Sequence, residues 1–482
     1  MDHQPARKQF FLPGKRFWKY SLSSFLIILT FMFCSGQQDS AKETPLTDRF
    51  DPETQSYAFV VPTLKPLAGV GGIKAADCGV CHKQIFREWQ QTTHANSLND
   101  IQFQSELTKP DSPKWLCLNC HIPVQNQREY IITHLIDNDI FQPVTRRNPD
   151  FDYQLQQEGV TCATCHIRAD QETGESYVIG PNGNQNAPHP VRKNQEFLHN
   201  MCQRCHNPQG EGLTPNLICW FYTTDELAGS QTLIEETFGE QKNCVSCHMP
   251  KEKRHVAEDF KIYPEQEVNQ HHWVGSGIPK WFSGYDSLLN RGYKGGLEVT
   301  VGTPQQAADG DSVTVDVHLT NARAGHHLPT GDPERFILAV ASISDAGGNV
   351  QYEKKLRIGQ HWLWNPARKI GDNRITFGET RLWKATLPSN SARKGQLTVT
   401  VLHVRLNTNT AKYIIAAENV DESLFPNGQD YVRNAIHHNP FASFVYNLEI
   451  DLNSGERRVY SPEELVALSK AEKGKALSER LY

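Results

Sequence analysis

The sequence predicts a multidomain protein in which a mainly α-helical part, built around attached groups, precedes an all-β part of the immunoglobulin-like sandwich type. Between residues 76 and 292, five short cysteine–histidine motifs recur among polar segments with few long apolar runs. Attached groups must therefore supply much of the core there. Over residues 293–456, apolar and polar residues alternate in short runs separated by Gly, Asn and Asp, as in antiparallel strands. Residues 457–482 carry a capping-box start at Ser461 and predict a C-terminal surface helix.

The individual elements follow from local patterns. Helical patterns occur between the motifs, for example over residues 83–98 and 223–238. Strands with a period of two are predicted at 297–301, 313–319, 336–343, 350–356, 397–404 and 445–452. We therefore expect a sandwich of roughly seven or eight strands.

The five motifs share the pattern Cys-x-x-Cys-His, which is the attachment signature of c-type haem. The two thiols bind two vinyl groups on one porphyrin edge, and the adjacent histidine binds the iron as proximal ligand. The attachment cysteines are Cys78, Cys81, Cys117, Cys120, Cys162, Cys165, Cys202, Cys205, Cys244 and Cys247. The proximal histidines are His82, His121, His166, His206 and His248. The sequence thus predicts five covalently bound haem c groups, and we expect the apoprotein not to fold.

A Cys-x-x-Cys pair also occurs in zinc knuckles and in thioredoxin-like redox sites. Zinc sites would require the pairs to combine into sets of four ligands, which gives no reason for a histidine after every second cysteine. A redox pair would lie between a strand and a helix of an α/β unit, and no such alternation surrounds these motifs. Zinc and thiol redox chemistry are therefore both disfavoured.

The sixth iron ligands are expected to be histidines. Met201 and Met249 each lie directly against a motif, so neither can reach the far face of its own haem, whereas the chain has 20 histidines. Ligation by two histidines implies low reduction potentials. The candidates are His94, His134, His189, His199, His272 (or His271 beside it) and His326. For each, the alternative is a solvated or core histidine.

The loop over residues 321–331 pairs two histidines with a rigid Pro-Thr-Gly end at Gly331. Such a loop can present a side chain outward with little loss of entropy. It predicts that His326 binds an iron of the first part, with the fifth haem as the expected partner, and that His327 matters much less. The alternative is a surface loop whose histidines only bond nearby carbonyl groups.

Several segments resemble the tetrahaem cytochrome c-554 class, which is related to hydroxylamine oxidoreductase. The similar residues are Trp89 and His94 after the first motif, the segment Gly-Val-Thr before Cys162, and Met-Pro after His248. The resemblance covers about residues 75–280 and implies closely stacked haems, mostly with two histidine ligands. A fifth motif and the β part depart from that class, so its substrate does not carry over.

The first 36 residues resemble a bacterial lipoprotein signal peptide. A basic segment precedes an apolar run over residues 22–33, which is shorter than a membrane span, and the run ends at Cys34. Lipidation of Cys34, ordinary cleavage near Gly36 and an uncleaved anchor stay open, and all three place the folded part outside the cytoplasmic membrane. Residues 37–75, first polar and then rich in Pro and Gly, predict a flexible tether.

Three functions fit these features, and the net charge of −5 argues against a nucleic-acid partner. The leading one is electron transfer between redox partner proteins, in the periplasm or at the outer membrane or cell surface of a bacterium. The alternative is a haem-dependent oxidoreductase that acts on a small nitrogen or sulfur oxyanion at one five-coordinate haem. Against it, no motif has the lysine-ligated variant of the pentahaem nitrite reductases. The third is a conductive filament built through the β part, for which the sequence shows no exposed donor strand. The sequence therefore favours an electron carrier over an enzyme.

Overall fold

A series of short helices carries the five motifs.

The structure is a computed structural model that describes residues 43–482 except 53–54, 184–185, 211–212, 215–220, 261–262, 276–293, 309, 365, 389–394 and 439. Residues 43–275 are called the motif part below, and residues 294–482 the β part. The predicted signal peptide, Cys34 and the boundary at residues 292–293 lie outside the described residues. Within those residues, no helix has the length and hydropathy needed to cross a membrane.

The motif part combines helices with small sheets. Its helices are α1 (Leu46–Arg49), α2 (Ala75–Gly79), α3 (Lys83–Gln90), α4 (Ile101–Leu107), α5 (Lys114–His121), α6 (Tyr153–Gln156), α7 (Cys162–His166), α8 (Gln195–Asn200), α9 (Gln203–His206), α10 (Thr223–Phe238) and α11 (Cys244–His248), with 3-10 turns at Ser56–Ala58 and Gln125–Gln127. Its strands are β1 (Glu43–Pro45), β2 (Tyr130–Ile136), β3 (Pro143–Arg147), β4 (Ile167–Ala169), β5 (Ser176–Gly180), β6 (Val191–Lys193), β7 (Lys251–Arg254) and β8 (Gln266–Asn269). They form the sheets β1-β2-β3, β4-β5-β6 and β7-β8. Short strands thus accompany the helices, and the sequence did not predict them because strands of three to seven residues leave little periodic signal. The mainly α-helical class of this part stays a prediction.

One-turn helices suit the motifs. In a helix, positions i, i+3 and i+4 lie on one face, and these are the positions of the two cysteines and the histidine. Helices α7 and α11 coincide with the third and fifth motifs, and α5 ends at the second motif's His121. In the first motif, α2 ends at Gly79 and His82 caps the start of α3. The helical turn therefore presents all three side chains to one side.

The expectation of a flexible tether over residues 37–75 is wrong for the described residues from 43 to 75. Phe50 and Tyr57 are buried in a cluster with Trp115 and Leu135. Further along, Val61 belongs to a second cluster of buried residues, and its backbone N–H donates to the Pro123 carbonyl over 2.8 Å. The apolar residues of this segment are irregularly spaced, so they show no helix or strand period although they pack. Residues 37–42 lie outside the described residues.

The β part consists of two antiparallel sheets. Its strands are β9 (Leu297–Val301), β10 (Gln305–Gln306), β11 (Ser312–Asn321), β12 (Phe336–Ser344), β13 (Val350–Trp364), β14 (Ala367–Asp372), β15 (Thr380–Pro388), β16 (Gln396–Val404), β17 (Ala442–Asp451) and β18 (Arg457–Val459). One sheet has the order β10-β11-β15, with β9 also paired to β11, and the other has the order β14-β13-β12-β16-β17-β18. Buried residues of both sheets, such as Val317 and Ala385 with Ala339 and Val399, share one core. The described β part thus has ten strands rather than seven or eight, and the immunoglobulin-like type stays a prediction.

Helices of the β part complete the fold. They are α12 (Thr408–Ala417), α13 (Gly428–Arg433), α14 (Ala435–His438) and α15 (Pro462–Ala471), with a 3-10 turn at Leu477–Glu479. A second hydrophobic cluster joins α12–α14 to Phe336 and Leu338 of β12 and reaches Ile101 of the motif part. The capping box at Ser461 and Glu464 starts α15. The two parts therefore share packed apolar residues.

Candidate haem-binding site

One continuous cavity of about 3050 Å³ runs through the motif part and borders the β part. Pockets for single small ligands usually measure about 300–1,000 Å³, so this cavity has room for several cofactors. All five motif histidines line it, as do nine of the ten motif cysteines, the exception being Cys117.

The fold brings motifs that are distant in sequence into contact. Thiols of different motifs lie within hydrogen-bonding reach, and no disulfide joins any of the ten described cysteines. The pairs are Cys78 with Cys162, Cys120 with Cys205, and Cys202 with Cys244. The first motif therefore adjoins the third, and the fourth adjoins both the second and the fifth.

Backbone carbonyl groups orient four of the five motif histidines. The Nδ1 atoms donate to carbonyl oxygens in four pairs: His82 to Val256 (2.8 Å), His121 to Ser97 (2.8 Å), His166 to Ile179 (2.9 Å) and His248 to Val274. Because a carbonyl oxygen only accepts, each Nδ1 carries the proton and Nε2 keeps its lone pair. This is the tautomer that a metal-binding imidazole needs.

Four motif histidines each face a second histidine. The ring centres are 6.4 Å apart for His82 and His189, 6.1 Å for His166 and His271, 6.1 Å for His206 and His94, and 6.2 Å for His248 and His326. Two imidazoles that bind one metal ion from opposite sides, with metal–nitrogen bonds of about 2.0–2.1 Å, have ring centres roughly 6–6.5 Å apart. All four separations match those of two axial ligands on one iron.

Burial favours the neutral form of several histidines in these pairs, and a neutral ring is suited to bind iron. Burial lowers the pKa of His94 and of His271 to about 3, with the neighbouring His206 and His166 adding to the effect. Burial likewise lowers the pKa of His326. A neutral ring retains the lone pair that a metal requires.

A buried carboxylate fixes His271. Glu88 of α3 accepts the backbone N–H of His271 over 2.9 Å and is paired with the Arg254 guanidinium, Nη2 to Oε2, over 2.9 Å. The His271 Nδ1 donates to the Asn269 carbonyl over 2.9 Å. Burial opposes the ionisation of Glu88, but its bonds to Arg254 and to the His271 N–H outweigh burial and lower its pKa.

A second buried carboxylate holds the loop that carries His326. Glu226 of α10 accepts the His327 backbone N–H (3.2 Å), the Thr330 hydroxyl (2.7 Å) and the Arg374 guanidinium (2.7 Å). The His327 carbonyl in turn accepts from His326 Nδ1 over 2.9 Å. Burial opposes the ionisation of Glu226, but the bond with His327 and the charge of Arg374 lower its pKa to about 2.

Close packing also brings this loop to α10. A Cβ atom at Gly325 would lie 2.6 Å from Ile234 Cδ1 and 2.7 Å from Leu227 Cδ1. A Cβ atom there would require both side chains to shift, so glycine at this position favours the close approach of the backbone before His326 to the helix.

Three other sequence candidates do not face a motif histidine in the described residues. His134 lies on β2, where its ring contacts Thr133 (3.0 Å) and Glu43 (3.5 Å). His199 on α8 and His272 both border the cavity, but neither forms a ring pair with a motif histidine. In place of His272, the neighbouring His271 faces the histidine of the third motif.

The second motif differs from the other four. The ring of Phe103 lies face to face with His121, with centres 3.5 Å apart and planes 6° apart. No histidine of the described residues pairs with His121 at the separation seen elsewhere. Burial lowers the pKa of His121 to about 4, so this ring is also neutral.

The residues present fit haem c. Nine of the ten motif thiols and all five motif imidazoles line a cavity of sufficient volume. In addition, the buried Nε of Arg335, on the cavity wall, has no hydrogen-bond partner in the described part of the chain. A haem propionate is a group that such a guanidinium would hold.

Sequence reasoning missed the residues that orient the ligands. Glu88 and Glu226 lie in polar helices and look like ordinary solvated carboxylates in the sequence. Arg254 and Arg374, their partners, lie far along the chain. No local pattern indicates a buried ion pair.

Comparison with known proteins agrees with the motif analysis. Residues 77–139, which include the first two motifs, match the family model described as cytochrome c554 and c-prime. The chain is also similar to a penta-heme cytochrome c552 from Thermochromatium tepidum, with a TM-score of 0.48 and 17% identity, over 80% of this chain and 99% of that chain. No curated protein matches. The five attachment motifs and this family match support a multihaem c-type cytochrome.

Proposed function

We propose that this cytochrome transfers electrons between redox partner proteins through five covalently bound haem c groups. The observation that carries the proposal is the set of four facing histidine pairs along one cavity. Haem c, when bound, supplies an iron centre that takes up and releases single electrons. At each of these four sites the chain's own residues offer two imidazoles that would hold the iron between them, so no iron position would remain there for a substrate.

Electron spin resonance of the oxidised protein at low temperature tests the ligand sets. We expect four low-spin signals when the spectrum is integrated against the haem content, one for each histidine pair. Fewer than four low-spin centres would contradict the assigned pairs.

Film voltammetry tests the function itself. An electron carrier should show reversible electron uptake at low potential, unchanged by added nitrite, hydroxylamine or sulfite. A catalytic current with any of these three compounds would count against a pure carrier.

A second candidate function is favoured by the stacking of Phe103 on His121. No histidine of the described residues faces His121, so a haem held at the second site would keep the open position that a haem-dependent oxidoreductase acting on a small nitrogen or sulfur oxyanion requires. Carbon monoxide titration of the reduced protein tests this candidate. Binding of about one carbon monoxide per chain supports an open second site, whereas no binding would remove this candidate.

We further propose that the protein is exported and held at a membrane through lipidated Cys34, in the periplasm or at the cell surface. The apolar run that ends at Cys34 supports this proposal. Cys34→Ser should move the protein from the membrane fraction to the soluble fraction. Unchanged membrane association, with an unmodified N-terminal peptide by mass spectrometry, would refute it.

A further inference from the structure

One indole contacts ligand histidines that belong to two different sites. The Trp273 ring lies 4.6 Å from the His94 ring at an interplanar angle of 76°, and 5.3 Å from the His271 ring at 90°. His94 faces the fourth motif, and His271 faces the third. Edge-to-face aromatic pairs at these distances are attractive and depend on orientation. The indole therefore restricts the rotation of both imidazoles.

The backbone directs this indole between the two rings. Trp273 has a φ of +46°, in the left-handed region that aromatic residues rarely adopt. Such a conformation persists where the surroundings fix it, and it is concentrated at functional sites. Here the His271 N–H is held by Glu88 over 2.9 Å on one side, and the Val274 carbonyl accepts from His248 Nδ1 on the other.

Residues 271–274 consequently contact the ligand sets of three motifs. His271 faces the third motif's histidine, Trp273 packs against the histidine that faces the fourth, and the Val274 carbonyl orients the fifth motif's own histidine. A protein tunes a haem through its axial ligands and through the groups that orient those ligands. A residue that contacts ligand histidines of two haems therefore affects the ligand orientation at both haems.

We propose that Trp273 is a positioning residue shared by the third and fourth sites, and that it couples the orientations of His271 and His94. This inference rests on the proposed ligation of both sites by two histidines. The low-spin signals of these two sites then respond together to a change at position 273, and those of the first and fifth sites do not.

Trp273→Leu tests the coupling, because it keeps apolar bulk and removes the aromatic ring. We expect two of the low-spin resonance signals to shift in g-value or to lose intensity together. Trp273→Phe retains an aromatic ring and should shift the same two signals less, which also covers the case in which the leucine variant does not mature. Trp383→Leu removes a buried indole from the β-part core and should leave every signal unchanged.

The outcomes separate this inference from the proposed ligation. His94→Ala and His271→Ala should each convert one low-spin centre to high spin. If neither does so, the ligation proposal fails and the coupling fails with it. If both do so while the Trp273 variants move one signal, none, or all signals alike, only the shared role of Trp273 is overturned.

Discussion

At the scale of single residues, Glu226 links the two parts of the molecule. Its carboxylate is contributed by α10 of the motif part, whereas His327, Thr330 and Arg374 belong to the β part. The side chain is 8% exposed, and that of Arg374 is 10% exposed. Since the His327 backbone connects this carboxylate to His326 through its N–H and its carbonyl, the geometry of the fifth site depends on a charge that is remote in sequence.

Replacing Glu226 should loosen the fifth site. In Glu226→Gln the carboxylate charge is lost and Arg374 keeps only Asp372, so we expect a loss of about 1–3 kcal/mol in the free energy of unfolding. The low-spin signal of the fifth site should decrease at the same time. Thermal unfolding and the electron spin resonance spectrum measure the two effects.

Glu236 provides the matched control for this substitution. It lies on the same helix but is exposed, so Glu236→Gln should change stability by less than about 0.5 kcal/mol. If the two variants have equal stability and equal low-spin signals, Glu226 does not hold the loop that carries His326.

Glu334 should make stability depend on pH. Burial raises its pKa to about 8, with the charges of Asp332 and Glu106 adding to burial and Lys109 opposing it. The Gln102 side chain donates a hydrogen bond to the same carboxylate. The folded-state pKa of Glu334 lies above the unfolded value of about 4.3. The folded protein therefore binds the carboxyl proton of Glu334 more tightly than the unfolded chain does.

The stabilisation by the Glu334 proton is complete below about pH 4.3 and is lost as the pH rises to about 8. Over this range the free energy of unfolding should fall by up to about 1.4 kcal/mol per pH unit. Thermal midpoints between pH 5 and pH 9 measure it. In Glu334→Gln this slope should disappear. Parallel profiles for parent and variant would show that the pKa of Glu334 is not raised.

At the scale of elements, the N-terminal segment is part of the core. Asn126, in the 3-10 turn after the second motif, accepts the Leu64 N–H over 2.8 Å and donates to the Leu64 carbonyl over 3.1 Å. The Asn126 side chain thus satisfies both backbone groups of Leu64 and holds the N-terminal segment against the region of the second motif.

Removing the Asn126 amide should release that segment. Asn126→Ala leaves two buried backbone groups unpaired, at a cost of about 1–3 kcal/mol. We expect a lower thermal midpoint and faster proteolysis between residues 43 and 66. In Lys65→Ala, which removes an exposed pair with Glu175, the change should be at most about 1 kcal/mol. Proteolysis at the parent's rate in Asn126→Ala would indicate that the segment is held by its apolar residues alone.

At the scale of the whole molecule, we expect attached haem groups to complete the core of the motif part. Matured protein should gain the mass of five haems, since the chain carries five complete motifs and all five motif histidines line the cavity. A double substitution, Cys162→Ser with Cys165→Ser, should lower the gain by one haem. Intact-mass spectrometry measures both, and a smaller gain in fully matured parent protein contradicts the count. Without the attachment machinery we expect no folded protein.

The sequence alone determined the features that are local. Two thiols and a histidine within five residues define an attachment site, because one helical turn places positions i, i+3 and i+4 together whatever surrounds them. The alternating runs of the β part were equally readable, since a strand with one buried face has a period of two. His326 was noticed for a local reason too, namely its loop of paired histidines with a rigid end.

Only the tertiary structure decided which histidine lies opposite each motif. Which histidine lies opposite which motif depends on contacts between distant segments, so His271 rather than His272 faces the third motif, and the polar candidate His134 lies on a surface strand beside Glu43. The packing of residues 43–75 and the burial of Glu88 and Glu226 were hidden for the same reason. Burial and pairing are properties of a neighbourhood that the chain assembles from separate segments, and neither spacing nor composition encodes that neighbourhood locally.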